Sequence, residues 1–363
     1  MFSLDFCCLK GIVLMDKKRR YISLVLVFSL IMSLTLFLPS CSRQEEEAPA
    51  EEKKQEEEQT IYGDESLGID AKVDEALSDY RNILLLGIDN GNRSDLMMVL
   101  SINEKTNEIK TVSVHRDTYM QIAEDGTYTI DGKEREFYKC NRAYKRDGIY
   151  GAMKELNRHM DLNIKECIAI DWAGVAHFID SMGGIDADVD ESMLPALNKL
   201  IAGEPGEEYC LDSAGSHHLD GWQAVQYLRV RKFDGGSAPV REERNQDVVQ
   251  QLFNKAQTMS IDEISDVYEQ VANNIESNMS RTTLTETLAS IHESTLESTP
   301  GWPYEYSELW QDDNSYYYFV ADTLASNVTE LHKTLFGQEN YEPSETVMTL
   351  NDMLENARKE QLH

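Results

Sequence analysis

Carboxylates and an arginine follow an apolar segment in the first half of the chain. Asp89 ends that segment, a short Asn-Gly-Asn loop comes next, and Arg93 and Asp95 lie just beyond the loop. A carboxylate at the end of a buried strand, followed by a glycine-bearing loop, is where α/β domains place ligands. Asp89 and Asp95 together suit Mg²⁺, which takes one or two protein carboxylates and leaves its other positions for water and phosphate oxygens. The same spacing also suits two ordinary turn residues.

A further apolar segment ends at His115, Arg116 and Asp117. A guanidinium at a strand end can bind a phosphate through two parallel hydrogen bonds. The alternative for Arg116 is a surface ion pair with Asp117. His115 is a candidate base, but a single histidine at a strand end is more often structural.

Four more arginines lie close together in the middle of the chain. They are Arg229, Arg231, Arg241 and Arg244. Residues three apart share a helix face, whereas residues two apart share a face only in an extended segment or at a helix end. Neighbouring Glu242 and Glu243 could neutralise this cluster. We favour a polyanionic ligand, because clustered cations need anions close by.

The overall charge argues against nucleic-acid binding. The 363 residues include 65 acidic and 34 basic side chains, for a net charge of -31. Nucleic-acid binding needs a basic face that releases counterions. In such an acidic chain, a local group of arginines indicates a specific anion site.

The N-terminal residues carry a targeting signal. Lys and Arg fill residues 17–20, and residues 21–39 are almost wholly apolar, at the short end for a membrane-spanning helix. Residues 38–41 also resemble a lipoprotein signal-peptidase box with Cys41 as the acylated residue. Both alternatives stay open. In either, the basic block stays in the cytoplasm, so we expect the rest of the chain at the extracytoplasmic face of the cell membrane.

Apolar patterning predicts the elements that position these side chains. Apolar runs bounded by turn signals predict strands at residues 82–88, 97–102, 109–114, 164–170 and 185–189. Helical spacing predicts helices at residues 148–160, 172–182, 221–230 and 241–259. Strands that alternate with helices are typical of an α/β fold. We expect a layered α-β-α domain with a central mixed sheet.

Composition divides the chain into four regions. Residues 1–41 are the cytoplasmic stub with the membrane anchor or lipoprotein signal, and residues 42–72 are an acidic linker predicted to be disordered. Residues 73–260 form the α/β domain. Residues 261–363 are a mostly helical C-terminal extension that packs on the same body. Its predicted elements are helices at residues 264–275, 284–292, 321–335 and 346–358 and one strand at residues 315–320.

Six segments occur in a fixed order through the α/β domain. They are NILLLGID at residues 82–89, RSD at 93–95, SVHRD at 113–117, KCNRAY at 139–144, IDSMGGID at 179–186 and DGWQAVQYLRVR at 220–231. In this order they resemble the LytR-CpsA-Psr family, over roughly residues 82–255. Several separate motifs in the right order are a far stronger signal than any one alone.

The resemblance implies a glycopolymer phosphotransferase at the outer face of the membrane. Such an enzyme takes a glycopolymer, for example teichoic acid or capsular polysaccharide, from a polyprenyl-pyrophosphate carrier. It transfers the polymer to peptidoglycan through a phosphodiester. The implied partners are therefore the polyprenyl-pyrophosphate-linked glycan, the peptidoglycan acceptor and, through the N-terminus, the membrane, but no nucleic acid.

The resemblance also implies roles for individual residues. Asp89 and Asp95 match the magnesium-associated aspartates, so Mg²⁺ is the implied cofactor. The pyrophosphate-contacting set is Arg93, Arg116, Lys139, Arg229, Arg231 and Arg241. Asp89, Asp95 and Arg116 are the catalytic candidates, because an acceptor hydroxyl needs a base and the phosphate needs charge neutralisation. An apolar groove for the lipid, or plain core packing, is the expectation for Trp172, Val175, Phe178 and Ile179.

The chain departs from the family pattern near the predicted site. His115 stands where proline is usual, Ala238 replaces an aspartate, Asn245 replaces a glutamine, Arg142 replaces a small residue, and the loop at residues 235–239 is atypical. These departures keep an alternative open. In it the protein is a non-catalytic polyprenyl-pyrophosphate-binding or regulatory envelope protein, in keeping with a transcriptional attenuator.

Overall fold

A computed structural model describes residues 64–90, 92–122, 128–130, 132–230, 233, 238–311 and 316–361. The predicted membrane anchor or lipoprotein signal, residues 42–63 of the acidic linker, and Arg231 lie outside the described residues. The prediction of disorder is wrong for residues 64–72, which contain a 3-10 helix at Asp64–Leu67 and the start of an α-helix at Ala71. Within these ranges, no helix combines the length and the apolar composition needed to cross a bilayer.

Seven strands follow the first α-helix without interruption, and strands and helices alternate only from residue 142 to residue 229. The strands are β1 (Tyr80–Ile88), β2 (Ser94–Asn103), β3 (Glu108–Ser113), β4 (Tyr119–Gln121), β5 (Tyr128–Ile130), β6 (Lys133–Arg135), β7 (Phe137–Lys139), β8 (Glu166–Asp171), β9 (Ile185–Val189), β10 (Gly215–Leu219), β11 (Ile275–Ser277), β12 (Thr295–Ser298), β13 (Tyr306–Gln311) and β14 (Tyr316–Ala321). The α-helices are α1 (Ala71–Ala76), α2 (Arg142–Met160), α3 (Trp172–Ser181), α4 (Leu194–Gly203), α5 (Gly221–Arg229), α6 (Ala238–Ala256), α7 (Ile261–Val271), α8 (Arg281–Ser290), α9 (Leu324–Phe336) and α10 (Glu345–Gln361).

A six-stranded mixed sheet with the strand order β11-β8-β1-β2-β3-β12 lies at the centre. Strands β1, β2 and β3 form an antiparallel meander, whereas β8 runs parallel to β1. The turn between β2 and β3 is closed by the Asn103 side chain, whose Oδ1 accepts hydrogen bonds from the backbone N–H groups of Lys105 and Thr106. Asn107 ends this turn with a positive φ of 58°, a conformation that asparagine tolerates.

Strand β1 is buried on both faces of the sheet. Ile83 packs with Ile102 and Ile109 on one face, whereas Leu84 belongs to the large core on the other face. Successive side chains of a strand point to opposite faces, so a strand covered on both sides reads as one continuous apolar run. This burial accounts for the unbroken apolar segment before Asp89.

Helices cover both faces of the sheet. On the face of Leu84 the core includes Met153 of α2, Leu331 of α9 and Leu350 of α10. On the opposite face, Leu284 of α8 packs with side chains from α6 and α7. The layered α-β-α architecture predicted from the sequence is confirmed.

A further apolar cluster joins α3, α4 and α5 to the two-stranded sheet of β9 and β10. Helix α3 begins where Asp171 caps it, with Oδ1 accepting the Gly174 backbone N–H at 2.7 Å. Helix α5 begins at a capping box in which the side chains of Asp220 and Gln223 each accept the other's backbone N–H. These caps fix the starts of the two helices that flank the site described below.

The C-terminal region completes the central sheet. Strands β11 and β12 form its two edges, and β13 and β14 form a separate antiparallel hairpin. The predicted helix at residues 264–275 is too long, because α7 ends at Val271 and Ile275 already begins β11. The helices predicted at residues 321–335 and 346–358 are present as α9 and α10.

Candidate functional site

Asp95 lies near the start of strand β2, at an irregular position in the strand pairing. Gly87 pairs with Leu96 but Ile88 pairs with Ser94, so Asp95 is the extra residue of a β-bulge. A bulge reorients the side chain at that point and is frequent next to active sites. The bulge places the Asp95 carboxylate at the edge of a pocket rather than in the sheet interior.

Asp89 and Arg93 close the loop between β1 and β2. The Asp89 backbone N–H donates to the Arg93 carbonyl at 2.9 Å, and Asp89 Oδ1 accepts the Arg93 backbone N–H at 2.9 Å. Arg93 Nε and Nη2 also donate to Asp89 Oδ2, at 2.9 and 2.5 Å. This hydrogen-bonded pair raises the pKa of Arg93. The sequence alternative of two ordinary turn residues is therefore partly correct for Asp89, which holds its own turn together.

Arg116 and Lys139 continue the charged site along the sheet. The Arg116 guanidinium donates to the Asp95 carboxylate, and its Nε lies 3.5 Å from Asp117 Oδ2. Lys139 Nζ donates to Asp117 Oδ1 at 2.6 Å. The order Asp95, Arg116, Asp117, Lys139 thus alternates in sign. The sequence offers an ion pair between Arg116 and Asp117 as an alternative. This ion pair is present, but Asp95 is the nearer partner of Arg116.

A small, partly open pocket adjoins Asp95. Its lining consists of Asp95, Leu96, Trp172, Leu228, Arg229, Arg241 and Asn245. The Arg229 guanidinium lies 5.6 Å from the centre of the Trp172 ring, within the range of a cation–π interaction. Arg241 is only 8% exposed. The pocket therefore combines two arginines and a carboxylate with apolar walls.

Arg244 has a different role from its neighbours in the sequence. Its Nη1 and Nη2 donate to the backbone carbonyls of Tyr227 and Val230, at 2.8 and 2.6 Å. Burial lowers the pKa of this guanidinium. The expectation that Arg244 faces the polyanion with the other arginines is wrong, because its donors satisfy the last carbonyls of helix α5.

His115 and Cys140 are buried beside the site. The His115 ring lies 4.8 Å from the Phe319 ring and 5.6 Å from the Tyr306 ring, and its backbone N–H donates to the Trp302 carbonyl. The structural interpretation of His115 is confirmed. Burial raises the pKa of Cys140 to about 12, so its thiol is neutral at physiological pH.

The proposed lipid-groove residues separate into two groups. Trp172 lines the pocket. Ile179 is fully buried in the cluster that joins α3, α4 and α5, so the core-packing alternative is correct for this residue. Val175 and Phe178 are partly buried against neighbouring helices.

Two of the departures noted in the sequence lie at the site or close to it. Asn245 is buried in the pocket wall, and its side-chain oxygen has no hydrogen-bond partner within the described residues. The Arg142 guanidinium lies 5.6 Å from the Tyr138 ring centre, and neither residue lines the pocket. Ala238 is the first residue of α6.

The two carboxylates fit a divalent ion that is shared with a phosphate ligand. Carboxylate oxygens are hard ligands of the kind that Mg²⁺ prefers, and Mg²⁺ keeps open positions for phosphate oxygens. Among the described residues, no three His, Cys, Asp or Glu side chains group as a metal site. Asp89 and Asp95 therefore offer suitable oxygens, and each carboxylate is paired with an arginine, Arg93 and Arg116 respectively.

Sequence reasoning missed several parts of this site. The sequence predicts Asp117 only as a partner of Arg116, whereas in the structure Asp117 also binds Lys139. Leu96 and Leu228 were not singled out, although each adjoins a predicted site residue in the sequence. The sequence signal for Leu96 and Leu228 is that they adjoin Asp95 and Arg229. Neighbouring residues normally point in different directions. The bulge at Asp95 and the end of helix α5 bring both members of each pair to one pocket.

The model of the LytR_cpsA_psr family matches residues 36–334. The chain belongs to this family. TagV of Bacillus subtilis, a polyisoprenyl-teichoic acid–peptidoglycan teichoic acid transferase, is 28% identical over 280 residues, which cover 74% of this chain and 67% of TagV. TagU of Bacillus cereus (strain AH820), with the same enzyme name, is 27% identical over 253 residues, which cover 68% of this chain and 76% of TagU.

Solved structures of the same architecture extend this likeness to the fold of the LytR_cpsA_psr domain. TagT bound to LIIa-WTA superposes with a TM-score of 0.57 and 23% identity, covering 72% of this chain and 91% of that one. The protein gbs0355 from Streptococcus agalactiae gives a TM-score of 0.61 and 21% identity, covering 76% of this chain and 92% of that one. At these identities the structures confirm the fold.

Proposed function

We propose that this protein transfers a glycopolymer from a polyprenyl-pyrophosphate carrier to peptidoglycan. The observation that carries the proposal is the alternating chain of Asp95, Arg116, Asp117 and Lys139 beside a pocket that contains Arg229 and Arg241. Phosphoryl transfer needs positioning and charge neutralisation more than covalent catalysis. The relatives TagV and TagU, named as teichoic acid transferases, support the substrate class.

Each charged group has a place in the reaction. The acceptor hydroxyl oxygen forms a bond to the glycan-linked phosphorus, and the bond from that phosphorus to the bridging oxygen breaks, which leaves polyprenyl phosphate. Arg116, Arg229 and Arg241 neutralise the phosphate oxygens as charge shifts to the leaving phosphate. Asp95 or Asp89 accepts the hydroxyl proton as general base. Arg93, Lys139 and, from the family resemblance, Arg231 complete the proposed pyrophosphate-binding set.

Magnesium is part of the proposal as the implied cofactor. When bound, Mg²⁺ would supply further charge neutralisation at the phosphate oxygens. Asp89 and Asp95 would hold it. Both carboxylates are paired with arginines here. A bound Mg²⁺ would therefore compete with Arg93 and Arg116 for the carboxylate oxygens, and a substrate phosphate would compete with the carboxylates for the two guanidinium groups.

The location follows from the same reaction. Peptidoglycan lies outside the cytoplasmic membrane, so the site must face that side. The basic residues 17–20 before the apolar residues 21–39 support this orientation. The anchor is either a single membrane-spanning helix or a lipid on Cys41.

The test is a transfer assay with the purified full-length chain in detergent. It uses a polyprenyl-pyrophosphate glycan as donor and isolated peptidoglycan as acceptor, with Mg²⁺ or with a chelator. We expect glycan to become covalently linked to peptidoglycan, with strong loss of transfer in the chelator. Replacing Arg229 by Ala should lower the rate by about 10²- to 10³-fold, because one preorganised charge donor is removed.

A matched control separates the site from general loss of charge. Arg81 forms an ion pair with Glu166 near the start of β1. Gly87 lies near the other end of β1, where it pairs with β2 next to Asp95. Arg81→Ala should leave transfer within about twofold, because this half-buried ion pair contacts none of the proposed site residues. Tight donor binding without transfer under every condition would establish the non-catalytic alternative. Unchanged transfer by the Arg229→Ala variant would remove the pocket from the mechanism.

A further inference from the structure

Hairpin β13–β14 presents two aromatic rings side by side at the surface. Trp310 and Tyr317 face each other across the two strands, with ring centroids 5.0 Å apart. Trp310 is 59% exposed, which is unusual for so large an apolar side chain. Glu308 and Phe319 form the next cross-strand pair on the same face. This face of the hairpin is here called the aromatic platform and is defined by Trp310, Tyr317 and Glu308.

The platform is held rigidly from below. The Tyr317 ring contacts Phe319 edge-on at 5.1 Å, and Phe319 in turn lies 4.8 Å from His115. Burial, together with the neighbouring Glu308 carboxylate, raises the pKa of the Tyr317 hydroxyl. A ring fixed in this way loses little conformational freedom when a ligand binds.

The platform is continuous with the proposed active site. The Phe319 backbone N–H donates to the Asp117 carbonyl at 3.1 Å, and the Phe319 ring lies on the same face of β14 as Tyr317. Asp117 binds both Arg116 and Lys139. A ligand on the platform is thus within the reach of a short glycan segment from the phosphate-binding residues.

The chemistry of the platform favours the apolar face of a sugar ring. The face of an aromatic ring carries negative partial charge, and the C–H groups of a hexopyranose carry positive partial charge, so the two surfaces attract while both bury apolar area. Trp and Tyr combine this flat surface with polar edges that suit hydroxyl-rich ligands.

Charge decides which glycan. Glu308 lies on the platform itself, and the chain has a net charge of -31. A phosphate-rich polymer would meet repulsion here, as would an anionic lipid surface. In intact peptidoglycan the lactyl carboxyl groups of the glycan strand are amide-linked to the stem peptides, so the sugar rings themselves carry no charge and avoid this cost.

We propose that Trp310 and Tyr317 form a stacking subsite for the neutral glycan strand of the peptidoglycan acceptor. The inference rests on the proposed function, because it places the acceptor of that reaction. Trp310 and Tyr317 are binding residues here and take no part in bond formation.

The first test measures binding without any donor. Oligomers of N-acetylglucosamine, the uncharged sugar of that strand, are titrated by calorimetry into the full-length chain in detergent. Trp310→Ala should weaken binding by about 10-fold, the loss typical of a truncated aromatic anchor, and Trp310→Phe should recover part of it. Tyr317→Phe keeps the ring and should bind nearly as well as the parent. Tyr209→Ala, which removes another exposed aromatic ring, is the matched control and should bind unchanged.

The second test measures whether the aromatic platform affects use of the acceptor or of the donor in the transfer reaction. In the transfer assay Trp310→Ala should raise the KM for peptidoglycan by about 10-fold and leave the KM for the donor unchanged. If the parent chain shows no transfer, the proposed function fails, but the binding measurement still decides the subsite. If transfer is intact and Trp310→Ala changes neither glycan affinity nor the acceptor KM, the subsite is wrong and the proposed function stands.

Two other ligands are tested in parallel as outcomes that overturn the inference. Isolated teichoic acid that binds more tightly than the N-acetylglucosamine oligomers, with the same dependence on Trp310, would assign the platform to the donor polymer. Vesicles of phosphatidylglycerol that bind with that dependence would make it a membrane contact.

Discussion

Arg241 and Arg244 lie three residues apart on helix α6, yet they meet different partners. Arg241 lines the pocket beside Asp95. Arg244 binds the Tyr227 and Val230 carbonyls at the end of α5. Residue type and spacing could not separate them, because both arginines fall on one helical face. Their difference comes from which neighbour reaches each guanidinium.

The two arginines should therefore respond differently to substitution. Arg244→Met should lower the free energy of unfolding by about 2–4 kcal/mol, because two buried carbonyls lose charged hydrogen-bond donors. Arg241→Met should lower donor affinity by about 10-fold or more and change stability less. Urea unfolding and donor-binding titrations on both variants provide the measurements. Equal stability losses would mean that Arg241 is also a structural residue.

Asp117 acts on the site through its neighbours. Its carboxylate binds Arg116 and Lys139, and both basic groups are mostly buried. Asp117→Asn should weaken donor binding by about 10-fold, because the two cations lose the group that positions them. Asp79→Asn, which breaks the exposed pair with Lys105, is the control and should bind donor normally. A positioning role predicts a change in donor affinity without a change in the Mg²⁺ requirement.

At the level of elements, the central strands and most helices could be predicted from the sequence. Strands β1, β2 and β3 carry apolar runs that are interrupted by clear turn residues. Helix α3 ends at Ser181, shortly before Gly183 and Gly184, which both have a positive φ. The periodicity of these elements reports burial directly. Asp89 and Arg116 could be predicted as site residues for the same reason, since each follows such a strand.

Other elements could not be predicted because their sequences report local burial poorly. Strand β12 alternates between exposed and half-buried residues at a sheet edge, and β10 contains Gly215, His217 and His218. The bulge at Asp95 could not be predicted from the sequence either. It arises from a register shift between two strands that are both apolar, so no residue type marks it.

Helix α2 contributes a pH-sensitive contact to strand β4. His159 Nε2 accepts the Gln121 backbone N–H at 3.2 Å, and Nδ1 lies 2.8 Å from the Glu155 carbonyl. This arrangement requires the neutral ring with its proton on Nδ1. Burial, reinforced by the Arg158 guanidinium, lowers the pKa of His159 to about 3.

Stability should consequently fall as the pH drops from about 6.5 toward 3. In that window the unfolded chain binds a proton at His159 and the folded chain does not, so the unfolded state gains. One histidine contributes up to about 1.4 kcal/mol per pH unit. His159→Gln should reduce the slope of unfolding free energy against pH in urea titrations. An unchanged slope would show that His159 is protonated in the folded state.

At the level of the whole molecule, the C-terminal region is part of the sheet that carries the site. Strand β11 pairs with β8, and β12 pairs with β3, so both edges of the central sheet come from beyond residue 260. Helices α9 and α10 bury Leu331 and Leu350 in the same core as strand β1. Division at residue 260 therefore separates segments that share one hydrophobic core.

A chain that ends at residue 260 should not fold cooperatively. Its sheet would expose two unpaired edges, and one face of β1 would lose the helices that cover it. Circular dichroism during heating should show no sharp transition, and proteolysis should be rapid. A chain that ends at residue 342 lacks only α10 and should keep a cooperative transition at a lower temperature, because the six strands remain. A native-like transition in the shorter chain would instead make residues 73–260 an independent domain and reduce the C-terminal strands to an accessory. The pair of truncations thus decides whether the site depends on the C-terminal strands or only on the helix that covers them.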